Sequence, residues 1–234
     1  MTAPLPLLGV DMGELPDEPA ALWAWIDVAH IACGGHAGDA GTMAAAAQQA
    51  ARAGVRLFAH PSYPDRAGFG RRRMELPAAA LHESLRGQVA ALRAAAGPVA
   101  VGGVKPHGAL YHDADGDDAL AALLLDAAAA GGVGPAVLVG PAVPAPGGGA
   151  LARAAAARGW VYWAEAFADR GVDGTGALLP RGAPGALLDA PGAVADRARA
   201  LAGTVPLLGL HADRPGALER VVAAAQALGR GPRA

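Results

Sequence analysis

Lys105-Pro-His-Gly-Ala-Leu-Tyr111 sets an ammonium and an imidazole two positions apart, directly after a glycine-containing apolar run. A lysine placed there cannot be buried cheaply without a partner, so Lys105 is expected to face an internal carboxylate or an anionic ligand. His107 can act as general acid or base, because an imidazole titrates near neutral pH. The same punctuation recurs along the chain. Leu57–Ala59 break off into His60, Pro61 and a loop holding Tyr63, Asp65, Arg66, Arg71 and Arg72; Val10 leads into Asp11 and Glu14. Later, Val161–Ala164 lead into Glu165, Asp169 and Arg170, and Leu210 leads into His211 and Asp213. Each signal is weak alone. Repeated on successive apolar runs, they predict several strands that deliver polar groups to one cavity.

Two segments admit a structural reading beside the chemical one. In His30-Ile-Ala-Cys-Gly-Gly-His-Ala-Gly-Asp39, His36 and Asp39 could hold a proton, a metal or a bound carboxylate on a glycine-rich turn. Asp39 could equally cap the helix that follows. His30 reads as a core or surface histidine, and Cys33 as a small buried filler. Asp11 and Glu14 could position water, a lysine or a divalent ion, or form a solvated pair. Around Glu165, Asp169 and Arg170, with Asp173 and Arg181 following, opposite charges gather in a loop. An arginine fork there suits a carboxylate or phosphoryl group, and an internal ion-pair network would read the same.

The elements that must carry these groups alternate. Strands are expected at Leu7–Asp11, Ile26–Ile31, Val55–His60, Ala100–Lys105, Ala136–Gly140, Val161–Ala166 and Pro206–His211. Helices are expected near 41–53, 77–96, 117–130, 149–158, 192–202 and 215–228. Leu81, Leu85, Val89 and Leu92 recur at helical spacing and mark the face of one helix that packs on a sheet. The glycine-rich Gly140–Gly149 segment is expected to join a strand to its helix. Strand–helix alternation implies parallel strands joined by crossovers, and about seven units suit a closed α/β barrel better than an open doubly wound sheet. In such a barrel the chemistry collects at the carboxyl ends of the strands, where the polar residues fall.

Composition narrows the function classes. A chain of 234 residues, 53% of them hydrophobic, can bury a core in one domain spanning 1–234 without staples. A formal net charge of −2 offers no basic face for a nucleic-acid backbone. Met1–Leu8 lack a signal peptide's basic and apolar regions, and the apolar tract Ala119–Ala130 is too short to cross a bilayer and carries Asp126. A cytoplasmic protein is expected. With Cys33 as the single cysteine, cysteine-pair redox chemistry is excluded. No P-loop ending is present.

The blocks Asp11-Met-Gly-Glu14, Ile31–Asp39, Ala59-His-Pro-Ser-Tyr-Pro-Asp65, Gly68-Phe-Gly-Arg-Arg72, Val104-Lys-Pro-His-Gly-Ala-Leu-Tyr111 and Phe167-Ala-Asp-Arg170, with Asp173-Gly174 and Leu179-Pro-Arg181, resemble the LamB/YcsF family, which includes the A subunit of prokaryotic 5-oxoprolinase. The resemblance spans nearly the whole chain, in order. It implies a seven-stranded (β/α) barrel of the glycoside hydrolase/deacetylase type. It also implies ATP-dependent opening of 5-oxo-L-proline, or a related lactam, to L-glutamate together with subunits B and C, with ATP, and Mg2+ beside it, handled mainly by a partner. On that basis Asp11, Glu14, His36, Lys105 and His107 are the expected catalytic groups, and His60, Tyr63, Glu165, Asp169, Arg170, His211 and Asp213 the expected substrate-binding ones. Other readings are a stand-alone deacetylase or amidohydrolase with a divalent metal on Asp11, His36, His60 or His107, and a non-catalytic lactam-binding subunit. A homo-oligomer is compatible with all of them. The chain departs from the family pattern at Gly9-Val10, where Asn-Cys is usual, at Gly35, where Phe is usual, and at Ala212, where Gly is usual.

Overall fold

A computed structural model describes residues 4–143 and 148–233. Seven parallel strands, β1 (Leu7–Met12), β2 (Val28–Ala32), β3 (Arg56–His60), β4 (Val101–Val104), β5 (Val137–Pro141), β6 (Val161–Phe167) and β7 (Leu207–His211), close in chain order, with β1 also paired to β7. Helices α1 (Ala40–Ala53), α2 (Ala78–Ala96), α3 (Ala109–Asp115), α4 (Asp118–Ala130), α5 (Ala150–Ala157), α6 (Pro191–Leu201) and α7 (Ala217–Ala227) follow the strands. Residues 144–147 of the Gly140–Gly149 segment, and 1–3 of the Met1–Leu8 segment, lie outside the described residues. No helix among the described residues is long and apolar enough to cross a membrane.

Side chains alternate across each strand, and this period of two sorts the barrel. Leu8, Val10 and Met12 of β1, Leu57 and Ala59 of β3, and Leu208 and Leu210 of β7 pack outward into one core with Leu81, Leu85, Val89 and Leu92 of α2, as the helical spacing predicts. The opposite parity points into the barrel. Its base is filled by Val28, Phe58, Val139 and Leu207, with Leu7, Val137 and Trp163 against them. Further along the inward rows, toward the carboxyl ends of the strands, stand Asp11, His30, His60, Lys105, Glu165 and His211, all buried. Glycines on the inward rows make this layer possible. A Cβ at Gly209 would sit 2.4 Å from Glu165 Oε1, and one at Gly9 would sit 2.7 Å from His30 Cε1.

Two local differences from the sequence reading have physical causes. β2 begins at Val28 rather than Ile26, because Asp27 turns its carboxylate back to accept from the Leu8 backbone N–H at 2.8 Å. The helix α3 has no counterpart in the sequence reading: at seven residues it is too short for an apolar period to declare itself. Asp39 caps α1 through a reciprocal box with Thr42 and is exposed, so it belongs to the helix and not to the site.

Leu85→Ala, in the α2 seam, is expected to lower the unfolding free energy by about 3 kcal/mol. Asp39→Ala should lower it by about 1 kcal/mol through the lost cap. Denaturant titration followed by circular dichroism measures both.

Candidate active site

The strand ends of β1, β3, β6 and β7, with the segment just after β4, surround a cavity of about 390 Å3. Asp11, His60, Lys105, His107, Arg170 and His211 line it together with Arg71, Tyr111, Phe167 and Arg181. Lys105 is its fixed point. Nζ donates to Asp11 Oδ1 at 2.7 Å and to Glu165 Oε1 at 2.8 Å, and lies 4.8 Å from the centre of the Phe167 ring. Burial works against the ammonium, yet the two carboxylates outweigh it and hold the Lys105 pKa above the ordinary lysine value.

One ammonium cannot neutralise two buried carboxylates, and they divide accordingly. Burial opposes ionisation of Asp11, but its neighbours His60 and Lys105 and the bond from His30 Nδ1 at 2.8 Å pull its pKa well below the carboxylate range. For Glu165, burial prevails over Lys105, the Asp11 charge adds to it, and the pKa is pushed up to about 7. Tyr111 donates its hydroxyl to Glu165 Oε2 at 3.3 Å. The result is a proton store poised at neutrality beside a fixed cation.

A second cluster adjoins the first. Glu14 Oε1 lies 3.0 Å from His36 Nε2 and 3.1 Å from His107 Nδ1. Burial raises the Glu14 pKa, but these bonds outweigh it and the group is held well below its usual range. Burial lowers the pKa of both His36 and His107, against the pull of Glu14. Glu14, His36, His60 and His107 each turn one ligand atom to within 4.8 Å of the others, a group that could hold a metal ion. His211 forms a third unit: its Nδ1 meets Asp169 at 3.1 Å, and Arg214 donates to the same carboxylate at 3.1 Å. Burial opposes charge on both partners. Their mutual attraction wins, raising His211 and pulling Asp169 down to about 2.

The structure thus brings Asp11, Glu14, His36, His60, Lys105, His107, Glu165 and His211 together, with Asp169 behind His211. Other expected residues stand differently. Tyr63 does not line the cavity; its hydroxyl donates to Asp113 at 3.0 Å and braces the α3 region. Asp213 accepts from Arg71 and from Arg181 at 2.9 Å, so it holds two rim arginines rather than facing the cavity itself. Arg170 lines the cavity, but its guanidinium is committed to the Ala186 and Leu179 carbonyls at 3.0 and 2.6 Å, which fastens the loop after β6. Asp173 folds onto Thr175 and is exposed. Cys33 is buried, its thiol pushed up to about 12 by burial, and is an inert filler.

The sequence reading missed His30 as a partner of Asp11, and Arg71, Tyr111 and Arg181 as cavity residues. Strand parity was the available signal for His30, which shares the inward row with Val28. The arginines were legible only as members of charged loops, and nothing local says that they reach the rim. Two departures from the family pattern have packing reasons. A Cβ at Gly9 would strike His30, and one at Gly35 would lie 2.3 Å from Gln88 Oε1, where the Gln88 amide is bonded to the Ser62 backbone. For Ala212 the structure offers no reason.

A closed parallel barrel with acids, imidazoles and a buried ammonium converging on one mouth defines a (β/α)-barrel protein with an acid–base site. A LamB/YcsF sequence profile matches residues 8–230, and the chain belongs to the LamB/YcsF family. It is 42% identical to the A subunit of 5-oxoprolinase from Streptomyces griseus subsp. griseus over 90% of each chain. Among solved structures it resembles a lactam utilization protein from Thermus thermophilus, with a TM-score of 0.82, 31% identity and 96% of each chain covered. It also resembles a family 4 carbohydrate esterase from Streptomyces lividans, with a TM-score of 0.50 and 14% identity over 98% of this chain and 90% of the other. That last likeness concerns the fold alone, and agrees with the expected barrel of the deacetylase type.

The Asp169–His211 pair has a pH signature. Asp169 at about 2 lies below the ~3.9 of an unfolded aspartate, so its stabilisation is complete above about pH 4 and is lost as pH falls toward 2. His211 is raised above the ~6.5 of an unfolded histidine, so its share is present below that value and is lost as pH rises through the folded pKa. Asp169→Asn should flatten the stability curve in both windows, as read from denaturant midpoints between about pH 2 and 9.

Proposed function

We propose that this chain is the barrel component of an ATP-dependent 5-oxoprolinase, opening 5-oxo-L-proline to L-glutamate with two partner subunits, B and C, in the cytoplasm where ATP is supplied. The observation that carries the reading is the Asp11–Lys105 pair at the wall of a cavity sized for a small cyclic amide, with Glu165 bonded to Lys105 behind that wall. The Streptomyces griseus relative, which bears the 5-oxoprolinase name, supports it.

A lactam resists water because ring opening forfeits amide resonance. Phosphoryl transfer from ATP to the lactam oxygen, carried out with Mg2+ on a partner, would make the carbonyl carbon electrophilic. In the cavity Lys105 is the fixed positive group beside the developing oxyanion, a contribution on the order of 3 kcal/mol to transition-state stabilisation. Asp11, held ionised, orients the attacking water, whose proton passes to solvent as its oxygen bonds to the carbon. Glu165, half protonated near neutrality behind Lys105, supplies through the ammonium the proton that the ring nitrogen takes as its bond to the carbonyl carbon breaks; a second water then cleaves the acyl phosphate left behind to L-glutamate and inorganic phosphate, and Glu165 is reprotonated from solvent. The rim guanidiniums of Arg71 and Arg181 face the substrate carboxylate, in a ring held by Asp213. Arg170 keeps that loop in place.

Glutamate release from 5-oxo-L-proline and ATP should require this chain and its partners together. Release by the chain alone without ATP would replace the proposal with stand-alone amide hydrolysis, and full turnover by the partners alone would leave the chain a binding role. Glu165→Gln should lower kcat by about 10²–10⁴-fold. It should also abolish the fall in kcat/KM expected as the pH of the wild-type assay rises through about 7. Lys105→Met is a harsher change: besides ending turnover it leaves two buried carboxylates without their cation, at a cost of about 3–5 kcal/mol in stability. Thermal unfolding of that variant measures the second effect.

A further inference from the structure

The imidazoles around Glu14 present a problem of proton accounting. His60 Nδ1 lies 2.8 Å from the Lys105 carbonyl oxygen, and His107 Nε2 lies 2.9 Å from that of Phe69. A carbonyl only accepts, so both of these outer nitrogens carry hydrogen. In neutral rings the inner nitrogens, His60 Nε2 and His107 Nδ1, are then bare lone pairs, and they stand 2.9 Å apart. The Glu14 carboxylate adds a third acceptor, with Oε1 3.1 Å from His107 Nδ1 and 3.7 Å from His60 Nε2. Buried acceptors facing one another repel unless something positive lies among them.

A single proton on one ring relieves one of these contacts. A metal ion relieves all of them. Around a tetrahedral ion with arms of about 2.0–2.1 Å, neighbouring ligand atoms stand about 3.3 Å apart. The separations of 2.9, 3.0, 3.1 and 3.7 Å among His60, His107, His36 and Glu14 bracket that edge. Imidazoles that bind metal characteristically tie the outer nitrogen to a carbonyl or carboxylate, which fixes tautomer and ring orientation, as both rings do here. Glu14 Oε2 is buried with no partner, leaving a second carboxylate oxygen available.

The backbone is also bent to serve this cluster. Phe69 has φ 54°, a left-handed conformation that a bulky residue adopts at a cost. It delivers its carbonyl to His107 and sets its ring edge-on to His36 and His107, at 5.4 and 5.6 Å between centroids. The cluster is thereby closed on one side by an apolar ring and open on the other to the cavity through His60 and His107.

We propose that Glu14, His36, His60 and His107 bind one divalent transition-metal ion of the zinc class. Three imidazoles and one carboxylate in this geometry suit Zn2+ or Co2+ better than the all-oxygen shells of Mg2+ or Ca2+. The site is independent of which substrate the cavity takes, so its test uses the full chain without substrate.

Elemental analysis of protein purified without chelator should find about one equivalent of such an ion. After chelator treatment, Co2+ alone should give the visible absorption of a tetrahedral complex, displaced by Zn2+. Glu14→Gln and His36→Gln, neither of which lines the cavity, should weaken Co2+ binding at least tenfold, with circular dichroism reporting whether each variant folds. If neither folds, the wild-type titration decides. A wild-type chain that takes up no stoichiometric metal and shows no cobalt spectrum overturns the proposal. So does binding unchanged in folded variants. A ring-nitrogen NMR spectrum of an imidazolium at His60 or His107 that Zn2+ leaves undisturbed would overturn it as well, and would assign a shared proton in its place.

Discussion

An ammonium sealed between two carboxylates governs this molecule. Lys105 is 1% exposed and has Asp11 and Glu165 as its side-chain partners, so the three groups cannot be moved apart without stranding a buried charge. Because one positive charge meets two potential negative ones in a place poor in water, the second carboxylate is driven toward its neutral form. The asymmetry between Asp11 and Glu165 follows from their neighbours. Asp11 has His30 and His60 as further partners, whereas Glu165 has a tyrosine hydroxyl. An ionised acid and a neutral acid facing one cation are what acid–base chemistry at neutral pH requires, and the barrel obtains them from placement rather than from unusual residues.

The rest of the barrel mouth is arranged around that triad. Asp169 and Arg214 hold His211 on one side, while Glu14 gathers His36 and His107 on the other, next to His60. Outside these, the Asp213 carboxylate draws Arg71 from the loop after β3 and Arg181 from the loop after β6 onto one rim. Loops with no sequence relation are thus tied across the cavity by ion pairs, and Arg170 pins the β6 loop by its own carbonyls. The strand ends supply buried acids, imidazoles and an ammonium, and the loops supply the arginines of the rim.

Membership of the LamB/YcsF family fits this division. The blocks that carry the family likeness are the strand ends and the loops directly after them. Where the chain departs from the pattern, at Gly9 and Gly35, neighbouring side chains from other elements, His30 and Gln88, occupy the room. The inward glycines act the same way at Gly209, ceding volume to Glu165. Small residues at these points are part of the site's construction although they carry no chemistry.

The seven strands, most helices and the clustering of polar groups at strand ends were written in the sequence, because alternation and helical spacing are local and a charged residue closing an apolar run is visible without a fold. So were the chemical types at Asp11, Lys105, His107 and His211. Only the tertiary structure decided who meets whom. That Tyr63 serves Asp113, that Asp213 belongs to two arginines, that Arg170 is spent on carbonyls and that His30 supports Asp11 all depend on contacts between residues far apart in the chain. A side chain's pKa is set by such contacts and by burial, neither of which a linear sequence contains. Glu165 therefore reads as an ordinary acid in the chain and becomes a proton store near pH 7 only inside the closed barrel.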